Sequence, residues 1–154
     1  MRSLESYLTE YTESHQNRLN VKIHHVCVPA IVWSLLALTS TVEVGPGLSL
    51  GHALTFMALV YYAFFENVRV VLAMTALILV MFATFPWIPQ LGYVSSAVFI
   101  FAWLGQFYGH KIEGKKPSFL KDFLFLLIGP IWLLVQFFPQ LMHKSEPPDT
   151  THVS

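Results

Sequence analysis

Five apolar runs separated by short polar breaks constrain this chain more than any other feature. They extend over roughly 26–44, 48–65, 68–85, 92–108 and 123–138. A helix crosses the hydrocarbon core of a bilayer with about 20 apolar residues, and about 17 suffice. All five runs therefore qualify as candidate spans. The last is the weakest, because it is short and carries Gly129 and Pro130 near its centre, a combination that predicts a kink or a re-entrant path. Composition agrees: 55% of residues are hydrophobic and only 12% charged, outside the balance of an ordinary soluble domain. The expected fold is all-α, a polytopic transmembrane helical bundle of four to five membrane segments. It occupies one integral-membrane domain over residues 1–142, followed by a disordered polar tail over 143–154.

The breaks read EVGPG (43–47), ENVR (66–69), PWIPQLG (86–92) and GHKIEGKKPSFLKD (109–122). Glycine and proline punctuate the first, third and fourth. ENVR is so short that the second and third runs are expected to form a tight antiparallel hairpin. Ahead of the first run, residues 3–23 place Leu4, Tyr7, Leu8 and Tyr11 at helical spacing. This predicts an N-terminal amphipathic helix resting on the membrane interface or on the bundle. The polar start, with Glu5, Glu10, Glu13 and Arg18, is unlike a secretory signal, so a retained N-terminus is expected. A single cysteine, Cys27, excludes an intramolecular disulfide framework and a cysteine-rich zinc site. Zero formal net charge gives no basic field for nucleic acid.

Charge placement sets the orientation. If the first four runs all span, Arg2, Arg18, Lys22, Arg69, Lys111, Lys115, Lys116 and Lys121 fall on one side, and the loops after the first and third runs contain no basic residue. Lys144 lies beyond the fifth run. By the positive-inside rule the N-terminus, the ENVR turn and the 109–122 loop face the cytoplasm. His15 and His24, just before the first span, then share a membrane face with His110 and Glu113, just after the fourth.

Neutral imidazole offers a lone pair near neutral pH, and histidines with one carboxylate form the facial set favoured by non-haem Fe(II) oxygenases. His15, His24, His110 and Glu113 supply such a set. The spacing is not HExxH, and the nine residues between His15 and His24 require a bend or loop before the two rings can meet. The alternative is interfacial histidines that only hydrogen-bond. If the fourth span continues through GHKIE, His110 and Glu113 share a helix face; alternatively Glu113 pairs with Lys116 or caps a local turn. His25 points about 100° from His24 on a helix, His52 lies on the opposite side, and His143 and His152 lie in the tail. Gln106, one turn before His110, is a candidate for orienting a ligand, as is Asn20 for His24, whose other available role is capping the first span. Glu66 and Arg69 suit an interfacial ion pair, and Trp33, Trp103, Phe107, Tyr108 and Trp132 suit interface anchoring and packing. The sequence contains no GxSxG, phosphate-cradling loop or dinucleotide fingerprint.

Two blocks carry a resemblance: YTESHQNRLNVKIHHVCVP at 11–29 and WLGQFYGHKIEGKKPSFLKDFLFLLIGPIWLL at 103–134. The chain resembles the small integral-membrane family that includes the fungal endoplasmic-reticulum 2-hydroxy fatty acid dioxygenase. One shared pattern falls on Ser14, His15, Asn20, His24 and Pro29. The other falls on Gly105, Gln106, Phe107, Gly109, His110, Glu113, Gly114, Pro117 and Ser118. The resemblance implies Fe(II)-dependent oxidative shortening of a long-chain 2-hydroxy fatty acid by one carbon, with O2 as co-substrate and membrane lipid around the protein. It further implies that His15, His24 and His110 are catalytic iron ligands, with His24 rather than His25 in the site, and that Glu113 is a ligand or a supporting group. Fungal members place the glutamate one residue later; the GHKIEGKKPSF form looks more like bacterial members and implies a bacterial inner membrane. Lys111, Lys115 and Lys116 suit attraction of a substrate carboxylate as well as topology and headgroup contact. The competing reading is a non-enzymatic scaffold or transporter component with structural histidines. A transporter places ionisable residues near the midplane, whereas these spans are almost free of charge.

Overall fold

The computed structural model describes residues 2–114 and 119–142, with the side chains of 119–124 left aside. Lys115, Lys116, Pro117 and Ser118, the side chain of Lys121, and the tail with His143, Lys144 and His152 lie outside the described residues. The chain forms an all-α bundle with one short β-ribbon. Helix α1 (Leu4–Glu13) starts at Ser3, whose hydroxyl accepts the Ser6 N–H at 3.2 Å, and buries Leu4, Leu8 and Tyr11 on one face. The single helix expected over 3–23 is in fact two. Asn17 accepts the N–H groups of Leu19 and Asn20 and so opens a new helix, because a capping side chain here satisfies donors that a continuous helix would bond to its own backbone.

That second helix, α2 (Arg18–Ser40), runs through Pro29 and ends at a two-stranded antiparallel ribbon, β1 (Glu43–Gly45) and β2 (Leu48–Ser49). Gly47 takes the left-handed conformation, φ +71°, that turns the ribbon. Helices α3 (Leu50–Ala63) and α4 (Val68–Thr84) follow as the expected hairpin, then α5 (Leu91–Glu113) and α6 (Phe119–Phe137). α2, α5, and α4 with its 3-10 continuation to Trp87 are long and apolar enough to cross a membrane. α3 and the 125–137 part of α6 are shorter. Burial is arranged for lipid rather than water: Phe56, Met57, Leu72, Leu79, Val80 and Phe101 face outward, while Ser34 and Ser95 are buried. Both serines donate to carbonyls of their own helices, Ile31 and Leu91, which is how a hydroxyl is accommodated away from water.

α2 packs most extensively on α5. The contact is close because Gly105 and Gly109 remove two side chains, four residues apart, from the α5 face: a Cβ at 105 would strike Cys27 Sγ, and one at 109 would strike Asn20 Oδ1. α6 does not run from one end of the bundle to the other. Tyr62 Oη donates to Leu127 O, His25 Nε2 meets Gln136 Oε1, Asn67 Nδ2 donates to Leu141 O and Arg69 Nη1 donates to Gln140 O. Tyr62, Asn67 and Arg69 flank the α3–α4 turn and His25 lies near the start of α2, so α6 and the turn after it stay at one end of the bundle. With α1 they form a layer across that end, sealed by a core of Leu4, Leu8, Tyr11, Ile128, Ile131 and Trp132. A second core, around Ala37, Ile78 and Phe85, fills the other end.

Candidate metal centre

The break between α1 and α2 positions the site. His15 sits in that break, His24 lies two turns into α2, and His110 lies in the last turn of α5. His15 and His24 are buried, at 5% and 1% exposure, and His110 is half-buried. One ring nitrogen from each of the three lies within 4.8 Å of the others. Ring centroids stand 5.7 Å apart for His15 and His110 and 5.3 Å for His24 and His110.

Hydrogen bonding decides which nitrogens are presented. His15 Nδ1 lies 2.7 Å from Tyr11 O and His24 Nδ1 lies 2.9 Å from Asn20 O. A carbonyl oxygen only accepts, so both Nδ1 atoms carry hydrogen and both Nε2 atoms of the neutral rings carry lone pairs. Those two Nε2 atoms face one another at 3.0 Å. With both rings neutral, two lone pairs so placed repel unless a metal ion or a proton shared between the rings offsets them. Adjacent ligands at right angles on a metal with bonds of about 2.1 Å stand about 3.0 Å apart, so the donor set fits a metal ion. The backbone bonds to Nδ1 are of the kind that fix tautomer and ring direction in metal-binding histidines.

Aromatic packing holds the rings. Tyr11 stacks on His15 at 4.2 Å and 10° and meets His24 edge-on at 6.4 Å. Behind it lie Trp132 and Phe125, at 4.9 Å and 5.3 Å, and Trp132 Nε1 donates to Thr12 Oγ1 at 2.9 Å. Gly129 leaves the space that Tyr11 occupies: a Cβ there would come within 3.1 Å of the phenol oxygen.

The histidines expected together are together, but Glu113 is not in the group of converging donors. α5 does continue through GHKIE, and the Glu113 carboxylate accepts from Gln16 N at 2.8 Å, from Asn17 N at 3.0 Å and from Asn20 Nδ2 at 2.9 Å. Asn20 supports His24 through its backbone carbonyl rather than its side chain, and the capping role belongs to Asn17. Gln106 is buried, with an amide oxygen that has no hydrogen-bond partner among the described residues. His25 turns away to Gln136 and packs near Trp132 and Phe137. His52 bonds Ser49 at the start of α3, at the other end of the bundle. Sequence reasoning placed Tyr11 only in an apolar stripe; its position four residues before His15 was the available sign of a shared site.

The family described as Mpo1-like, 2-hydroxy-palmitic acid dioxygenase Mpo1-like, matches residues 1–141. The chain belongs to the Mpo1-like family. Among curated proteins it is similar to the 2-hydroxy-palmitic acid dioxygenase MPO1 of Saccharomyces cerevisiae, with 26% identity over 137 residues, covering 87% of this chain and 79% of the relative. No solved structure shows a significant match. The Mpo1-like match spans all four α1, α2, α5 and α6 elements that build the histidine cluster.

Proposed function

We propose that this chain is a membrane-embedded non-haem Fe(II) dioxygenase that shortens long-chain 2-hydroxy fatty acids by one carbon, with His15, His24 and His110 holding the iron. The observation that carries this reading is the convergence of one ring nitrogen from each of His15, His24 and His110, with the Nε2 atoms of His15 and His24 3.0 Å apart. The name of the yeast relative supports the substrate class. Iron bound there supplies a Lewis acid and a place for dioxygen to react.

The protein contributes positioning. Tyr11 O and Asn20 O keep the Nδ1 hydrogens of His15 and His24 out of the site, so neither Nε2 needs to lose a proton before it ligates. The Tyr11, Phe125 and Trp132 rings exclude water from one side. A 2-hydroxy acid carries its polar groups on adjacent carbons at one end, which suits a site at the ends of α2 and α5 while the acyl chain stays among apolar helices. Lys111, beside His110, draws the carboxylate to this face. The reaction balances without an external reductant: a 2-hydroxy acid and O2 give the acid one carbon shorter, carbon dioxide and water, and the substrate supplies all the electrons that the dioxygen accepts. Arg18, Lys22, Arg69 and Lys111 all lie at this end of the bundle, so the site faces the cytoplasm of a bacterial inner membrane under the positive-inside rule.

The test is anaerobic purification with metal analysis of the parent, His24→Ala and His110→Ala, followed by oxygen uptake with 2-hydroxypalmitate and palmitate. Stoichiometric iron in the parent alone, and uptake with the hydroxy acid alone, is the expected result. Equal trace iron in all three proteins overturns the metal site. Iron without uptake on either acid overturns the reaction.

A further inference from the structure

We infer that Glu113 is not a ligand of the metal but a positioning residue, the clamp that fixes the His15 loop and α2 to the end of α5. An ionised carboxylate has about four lone-pair sites. Here Oε1 receives Gln16 N at 2.8 Å and Asn17 N at 3.2 Å, while Oε2 receives Asn17 N at 3.0 Å and Asn20 Nδ2 at 2.9 Å. Three N–H groups, that of Asn17 shared between the two oxygens, hold the carboxylate on the His15 loop and α2, and it is not among the donors that converge with the three imidazoles. The donors identify the task. Gln16 follows His15 directly, Asn20 holds His24 Nδ1 through its own carbonyl, and Glu113 itself lies three residues after His110.

One side chain thus ties together the three segments that carry the three histidines, across 97 residues of sequence in its longest contact. It also places negative charge against the backbone N–H groups of Gln16 and Asn17 that lead into α2, where the helix dipole favours it. The orientation of the Asn20 amide is not arbitrary. Its nitrogen must face the carboxylate, and its oxygen then lies against Gly109, the one residue type that leaves room for it.

The metal-positioning part of this inference rests on the proposed iron site, whereas the clamp itself can be read without metal. Two measurements on the full-length protein separate them: hydrogen exchange at the Gln16 and Asn17 amides, and Fe(II) affinity by anaerobic titration. Glu113→Ala should speed exchange at both amides by about tenfold or more, as loss of their hydrogen bonds requires, and weaken Fe(II) binding about 10- to 100-fold. Glu113→Gln alone sets two amide NH2 groups against each other and should behave similarly. Glu113→Gln combined with Asn20→Asp restores the contact with amide and carboxylate exchanged, and should recover both slow exchange and affinity. This pair also keeps the test open if Glu113→Ala fails to fold. Recovery without a carboxylate at 113 is incompatible with a ligand role. Unchanged exchange in Glu113→Ala, or Fe(II) binding that the pair does not restore, overturns the clamp as a positioning device. A parent that binds no Fe(II), with exchange that still follows the pattern above, defeats the iron reading and leaves the clamp standing.

Discussion

Tyr11 serves His15 twice, through a carbonyl that receives Nδ1–H and through a ring that covers the imidazole face. Only the second depends on the side chain. Tyr11→Phe keeps the stacking surface and should retain most of the Fe(II) affinity. Tyr11→Ala removes a buried aromatic ring, at a cost of about 3–5 kcal/mol, and frees His15 to turn; thermal unfolding in detergent and Fe(II) titration should both register the loss. Gly109→Ala acts from the opposite side. Its methyl group would collide with Asn20 Oδ1 and force a shift costing about 1–3 kcal/mol. Because that amide is bound to Glu113, Fe(II) affinity should fall along with stability, whereas an exposed control such as Lys111→Ala should leave the melting temperature unchanged. His15, His110 and the His24–His25 pair were legible in the sequence because each lies at a span end on one side of the charge pattern, whereas the choice of His24 over His25 came from the family resemblance. Tyr11 and Gly109 were not, because stacking and backbone approach involve partners on other elements.

The break at Ser14–Asn17 is the element-level event that makes the site possible. A helix continuous from residue 3 through His24 would separate His15 and His24 by about 13.5 Å along its axis, at about 1.5 Å per residue. The cap at Asn17 folds the chain back and brings their Nε2 atoms to 3.0 Å. Replacing the cap with Asn17→Ala should destabilise the protein by about 0.5–2 kcal/mol, with Asn17→Asp or Asn17→Ser close to parent, as followed by thermal unfolding. Capping residues were present in SHQN, and a meeting of His15 with His24 required a bend or loop, but a local pattern does not reveal which of two competing hydrogen-bond arrangements wins. α6 illustrates a related limit. Its apolar length fits a span nearly as well as it fits a helix laid over other helices, and the Gly129–Pro130 pair hinted at an irregular path. Its bonds to Tyr62, His25 and Asn67–Arg69 settle that it stays at one end.

At the scale of the whole molecule, the two ends are chemically different. One carries His15, His24 and His110 together with the exposed Arg18, Lys22, Arg69 and Lys111; the other carries the ribbon with exposed Val44 and Leu48, together with exposed Trp87 and Tyr93. In a Cys27→Ser background, single cysteines at Glu66 and Gln140 should react with an impermeant maleimide only from the cytoplasmic side, and cysteines at Pro46 and Gln90 only from the opposite side. Reaction of Glu66 and Gln140 from opposite sides would show that α6 crosses. The sequence by itself determined the apolar, helical class of the chain and that His15, His24 and His110 fall at one end of it, because apolar length and charge bias add up residue by residue along the chain. The tertiary structure alone decided which nitrogens face one another, that Glu113 bonds the His15 loop, and that α6 lies across the bundle. Those outcomes depend on directional hydrogen bonds and packing between residues as many as 120 positions apart, and no local pattern encodes them.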